Sequence, residues 1–239
     1  MSDLSAALRE LVIANRIVAN EGVVDAFGHV SIRHPDNPKR YFMSRSRSPA
    51  LVTVDDLMEF TLDGAPLDQR GRVMYSERHI HGAIYESRPD VQAVIHNHSP
   101  AVIPFGVTGV KLRPLLHVAG AMGNEIPLWD IRDRFGDATN LLVSDMEQGR
   151  DLARAHGPNA VTLMRGHGCA VSGRTLRNTV LTAIYTQVNA YLQMAALQLG
   201  SPTFLSPGEV AATTEMVHSA LATDRAWDYF AARTGADAG

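Results

Sequence analysis

The sequence predicts an α/β fold: one domain in which a central β-sheet is flanked by helices. Three observations predict it. The chain has 239 residues, enough for one large domain with a sizeable core. Apolar, β-branched runs such as Val91–Ile95 and Val161–Met164 stand among amphipathic helical stretches. These strands and helices do not alternate as regular βα units, and no internal repeat, low-complexity segment or linker divides the chain. Residues 1–239 are therefore expected to form a single domain, with a flexible tail from about Thr234.

Ser5 to Glu21 reads as the first helix, with Leu8, Leu11, Val12, Val18 and Ala19 on one face and Gly22 at its stop. Ala26 to Arg33 ends in strand-like alternation, and His34–Pro38 is a turn. Tyr41–Ser44 is a second strand and feeds the polar loop Arg45-Ser46-Arg47-Ser48-Pro49. Leu57–Leu62 is a third, closed by the turn Asp63–Pro66. Ser76 is a candidate N-cap for a helix to about Ser87, with Ile80, Ala83 and Ile84 inward, and Pro89-Asp90 breaks it. Val91–Ile95 is a buried strand that delivers His96-Asn97-His98 to its end, and Ser99 starts a short helix. Pro104 to Phe135 is rich in Gly and Pro and suggests no element. Asp145–Ala155 is helical, and Val161–Met164 is a strand running into Arg165-Gly166-His167-Gly168-Cys169. Thr175–Leu199 is the longest helix, and Pro207–Ala232 is the last.

Composition excludes several classes. Lys plus Arg is 22 against 25 for Asp plus Glu, a net charge of −3, so no basic excess points to nucleic acid. No run of 18 apolar residues is present to span a membrane. Met1-Ser2-Asp3-Leu4 lacks the zones of a signal peptide, and Cys169, the single cysteine, forbids an intrachain disulfide. A cytoplasmic protein is expected. The ten histidines cluster.

Three of them stand at strand ends. Residues two apart on a strand point to the same side, so His96 and His98 converge on one point. His167 lies between two glycines after another strand, where backbone and ligand can approach closely. Three neutral imidazoles with room for another ligand suit Zn, Mn, Fe or Co with an open position, and Glu77 adds a carboxylate or an acid/base. Alone, a His-x-His is also a common surface feature and a Gly-His-Gly a common turn.

Arg45 and Arg47, between Ser44, Ser46 and Ser48, form either a solvated basic loop or a bidentate grip on a carboxylate or phosphate. His29 either lines the same pocket or marks a tight strand entry. His81 shares the helical face of Glu77 and His79 does not, although His79 lies nearer the helix start where the pocket is expected; surface exposure is the default for both. His117 is either a proton donor or a satisfied core residue. Tyr185 and Tyr191 are expected to serve the core of the long helix, and Cys169 to be a small buried residue.

Gly28-His29-Val30-Ser31-Ile32-Arg33, Ser76-Glu77, His96-Asn97-His98 and His167-Gly168 together resemble the class II aldolase/adducin family over about residues 5 to 200. The resemblance implies a three-layer αβα domain around a mainly antiparallel sheet. It implies a divalent metal on His96, His98 and His167, with Glu77 as the acidic catalytic residue. It also implies a fourfold-symmetric homotetramer with active sites at subunit interfaces.

Three phosphate-holding places depart from the sugar-phosphate aldolases: His29 stands for Asn, Ser44-Arg45-Ser46-Arg47-Ser48 for a Thr/Ser-Gly loop, and Tyr75-Ser76-Glu77 for Ser-Ser-Glu. With Phe27 to Pro35, the arginine loop resembles a branch of decarboxylases acting on hydroxylated aromatic dicarboxylates, of the 3-hydroxy-2-methylpyridine-4,5-dicarboxylate (vitamin B6 breakdown) or 3,4-dihydroxyphthalate type. That branch implies a carboxy-lyase with the metal, Mn²⁺ foremost and Zn²⁺, Fe²⁺ or Co²⁺ as others, as electron sink. Glu77 leads for proton transfer, then His117 or His79. Arg45, Arg47, His29 and Ser76 are candidates for substrate binding. The alternatives are a sugar-phosphate aldolase or epimerase, a non-catalytic adducin-like module and a non-haem iron oxygenase on the same fold.

Overall fold

The computed structural model describes residues 3–235. In chain order the elements are α1 (Asp3–Asn20), β1 (His29–His34), β2 (Asn37–Ser44), β3 (Leu57–Thr61), α2 (Arg78–Ser87), β4 (Ala93–Asn97), α3 (Ile103–Val107), β5 (Leu128–Trp129), α4 (Arg132–Phe135), α5 (Met146–His156), β6 (Val161–Met164), β7 (Gly168–Gly173), α6 (Leu176–Leu199), α7 (Pro207–Val217) and α8 (Ala220–Arg233). Short 3-10 turns at Pro49–Leu51, Val54–Asp56 and His117–Met122 link them. Except for Thr234 and Gly235, which form a turn, the expected tail lies outside the described residues.

One seven-stranded sheet runs in the order β3-β2-β1-β4-β7-β6-β5. Every described pairing is antiparallel except β5 with β6. Strand alternation sorts its side chains into two cores. Val30, Ile32, Ala93, Ile95 and Val171 face α1 and α6, while Tyr41, Met43, Val94 and Ala170 face α2 and α5. The result is the three-layer αβα arrangement. Among the described residues no helix is long and apolar enough to cross a membrane.

Most elements fall where the sequence puts them, and the differences have local causes. α2 starts at Arg78, with Glu77 in the N-cap position and no side-chain cap, so Ser76 does not cap it. The Glu77 carboxylate is drawn into the site instead. Ser99 starts no helix: its hydroxyl donates to Gln187 of α6 at 2.7 Å, and α3 begins only at Ile103. The expected last helix is two, because Ser219 caps a new one by accepting from the Ala222 amide. β7, unexpected from its small residues, pairs with both β4 and β6. Tyr191 of α6 is 52% exposed rather than core.

Candidate metal centre

β4 lies between β1 and β7, with His96 opposite His29 on one side and Ala170 on the other. His98 follows one residue beyond the strand, and its ring comes to the side of His96 as the two-residue period requires. The β6–β7 turn supplies the third imidazole, because the pairing of Asn97 with Cys169 holds that turn against the end of β4. His96 Nε2 is 3.0 Å from His98 Nε2 and 3.2 Å from His167 Nε2, and the latter two are 3.1 Å apart. Glu77 Oε2 lies 3.4 Å from His96 Nε2 and 3.6 Å from His167 Nε2. Glu77 Oε1 accepts from the Val143 amide at 3.2 Å.

The donor set fits a divalent cation. Each ring's Nδ1 faces an acceptor: the Cys169 carbonyl at 3.2 Å from His96, the Leu141 carbonyl at 3.0 Å from His167, and Asp25 Oδ1 at 3.3 Å from His98. The proton then sits on Nδ1, and three Nε2 lone pairs point into one space beside a carboxylate. Three imidazole nitrogens and one oxygen suit Mn, Fe, Co or Zn and do not choose among them.

Burial works to raise the Glu77 pKa, but charge and hydrogen bonding from His96 and His167 outweigh burial and hold it well below the usual carboxylate range. Glu77 is thus a carboxylate, a proton acceptor at the outset. Burial and its neighbour His96 push His98 down to about 4, consistent with a neutral ligand.

Beside the cluster opens a cavity of about 430 Å³, lined by Phe27, Ser46, Arg47, Ser48, Tyr75, Ser76, Glu77 and His98, with Ala26, Met74 and Leu142. A larger cavity, between Phe105 and Leu163, carries none of the four clustered residues. Arg47 lines the smaller cavity with its Nε bonded to the Leu51 carbonyl at 2.7 Å. Arg45 is not among the lining residues, and Asp56 accepts from its Nε at 2.6 Å.

His29 is fully buried and does not line the cavity. Its Nδ1 is 2.6 Å from His81 Nε2, its ring packs 5.1 Å from that of His96, and its Nε2 has no hydrogen-bond partner among the described residues. His81 Nδ1 is 2.7 Å from the Ser31 hydroxyl, itself 2.8 Å from Tyr85. Neither His79 nor His81 is exposed as expected, since α2 lays both against the protein. His79 sits over the turn at Gly64, and His117 borders a separate cavity with Tyr185 and Tyr229, so neither joins the cluster. The sequence reading missed Phe27, Tyr75, Asp25 and Asp56. Tyr75, in the Tyr-Ser-Glu segment, and Phe27, in the segment Phe27 to Pro35, carried a signal. Cys169 is buried, and burial pushes its thiol up to about 12, so it is inert at neutral pH.

Residues 9–194 match the family model described as Class II Aldolase and Adducin N-terminal domain. The chain is 32% identical to "Decarboxylase tropJ" of Talaromyces stipitatus, over 93% of this chain and 92% of that one. It is 25% identical to "3,4-dihydroxyphthalate decarboxylase" of Arthrobacter keyseri, over 96% and 94%. Its fold superposes on L-fuculose 1-phosphate aldolase from Glaciozyma antarctica PI12 with a TM-score of 0.78 at 22% identity, over 98% of this chain and 90% of that one.

Proposed function

The chain belongs to the class II aldolase and adducin family, and from that premise we propose that it is a metal-dependent decarboxylase of a hydroxylated aromatic dicarboxylate. The substrate class is 3-hydroxy-2-methylpyridine-4,5-dicarboxylate or 3,4-dihydroxyphthalate. Relatives named as decarboxylases, matching nearly the whole chain, support a carboxy-lyase. The observation that carries the reading is the convergence of His96, His98, His167 and Glu77 at the wall of a cavity that also presents Arg47.

His96, His98 and His167 would hold the metal. When bound, a divalent cation there supplies a Lewis acid beside the ring hydroxyl and draws off the charge left on carbon as the carbon–carbon bond breaks. Glu77, already a carboxylate, takes the ring hydroxyl proton at Oε2. It returns that proton to the ring carbon as CO₂ leaves, so the product forms as the phenolate and takes up from solvent the one proton that loss of CO₂ from a carboxylate consumes. Arg47, its Nε spent on Leu51, holds the retained carboxylate through its terminal nitrogens. The Ser76 hydroxyl helps orient the ring, and His29 supports the site from behind His96.

The assembly proposed is a homotetramer with sites at subunit interfaces. The open cavity and the 68% exposed Phe27 at its rim are consistent with a neighbour covering it. Hydroxylated pyridine and benzene dicarboxylates, incubated with Mn²⁺-loaded enzyme, test the function by CO₂ release and product identification. Turnover of a fuculose- or ribulose-type phosphate to an aldehyde, with no CO₂ from any acid, would overturn it.

A further inference from the structure

Arg45, Asp56 and Arg47 form a closed trio beside the cavity. Asp56 is buried; it accepts from Arg45 Nε at 2.6 Å, lies 3.3 Å from Arg47 Nε, and accepts from the Thr53 amide and hydroxyl at 2.9 Å each. Burial works to raise its pKa, but the Thr53 amide and the Arg45 guanidinium outweigh it and keep Asp56 ionised. Two guanidinium charges against one carboxylate leave a single net positive charge. That charge reaches the cavity through Arg47 alone.

Three amides of the same loop are already engaged within the protein. The Arg45 amide donates to the Asp56 carbonyl at 2.7 Å, the Ser46 amide to the Val73 carbonyl at 2.7 Å, and the Arg47 amide to the Tyr75 hydroxyl at 3.3 Å. Tyr75 in turn donates to the Arg47 carbonyl, which pins the loop at both ends of that residue. Phosphate sites rely on free, often glycine-borne, loop amides, and no glycine lines this cavity. A carboxylate needs only the planar fork of one arginine.

We propose that the Arg45–Asp56–Arg47 trio is an anion subsite built for one carboxylate rather than a phosphate dianion, and that Asp56 sets this preference without touching substrate. The proposal rests on the decarboxylase reading for the identity of the anion, the carboxylate that the substrate retains. Asp56 is here a positioning and charge-setting residue, and Arg47 the contact.

Calorimetric titration of the metal-loaded full chain with phthalate and with 2-carboxyphenyl phosphate tests it, since both ligands offer the metal the same benzoate. Asp56→Asn, which leaves the trio with two positive charges, is expected to shift the ratio of the two dissociation constants toward the phosphate by about tenfold. Arg45→Gln, which leaves no net charge, is expected to weaken phthalate by about tenfold although Arg45 does not line the cavity. An unchanged ratio in Asp56→Asn together with unchanged phthalate affinity in Arg45→Gln overturns the proposal. So does an unchanged affinity in Arg45→Gln alone if Asp56→Asn fails to fold. Failure of the decarboxylase reading would show separately in CO₂ release, because the titration needs no turnover.

Discussion

Gly168 lies so close to Asn97 that a Cβ on it would stand 1.9 Å from the Asn97 carbonyl oxygen. This approach presses the start of β7 against the end of β4 and brings His167, one residue earlier, within 3.2 Å of His96. Gly168→Ala is expected to push the strands apart. The cost is about 1–3 kcal/mol of stability, read from chemical denaturation, with a fall in bound metal read by elemental analysis. Unaltered stability with full metal occupancy would show that the close approach is dispensable.

Removing His98 takes one of three converging nitrogens. His98→Ala is expected to lose metal on dialysis while the wild type retains it. EDTA treatment should abolish wild-type activity and Mn²⁺ should restore it. In the wild type, free metal at a hundredfold excess over its dissociation constant should stabilise the fold by roughly 3 kcal/mol, and this gain should vanish in the variant. Full occupancy in His98→Ala counts against the ligand assignment.

Glu77→Gln keeps the shape and removes the proton acceptor. CO₂ release is expected to fall by roughly 10²–10⁴-fold with metal content retained. A variant that loses metal instead would make Glu77 a ligand first and a base second.

Arg47→Ala is expected to raise KM for a dicarboxylate more than for the matching monocarboxylate, by an amount on the order of 2–5 kcal/mol in binding. Equal effects on both would remove Arg47 from the retained carboxylate.

His156 makes stability depend on pH. It is fully buried, bonded to Thr162 and Ser172 at 2.8 and 2.7 Å, and burial pushes it down to about 4. The unfolded chain takes up this proton near pH 6.5 and the folded chain only near 4, so its contribution is intact above about 6.5 and lost as pH falls between the two. The full loss is about 3 kcal/mol. Unfolding curves from pH 7 to 4 should flatten in His156→Gln; an unchanged slope would assign the acid sensitivity to other groups.

The site was legible where the chemistry is local. Two histidines at alternate positions at the end of an apolar strand had to face one side, and they do, 3.0 Å apart. The Ser76 cap was misread, and the setting of Arg45 was hidden, because each depended on a partner outside its own segment. Glu77 turns into the histidine cluster in place of an ordinary capped helix start, and Asp56 takes the Arg45 guanidinium. His81 looked like surface because nothing in α2 reveals that β1 offers it His29 and Ser31.

Residue order alone dictated most strands and helices, the pairing of His96 with His98 on one side of a strand, and the presence of cations in the loop after β2. Folding decided that His167 meets that pair across some seventy residues, that Arg47 rather than Arg45 faces the cavity, and that Glu77 is ionised. The reason is physical. Periodicity reports which side of its own element a side chain occupies, whereas charge, ligation and access depend on which distant element comes to lie opposite.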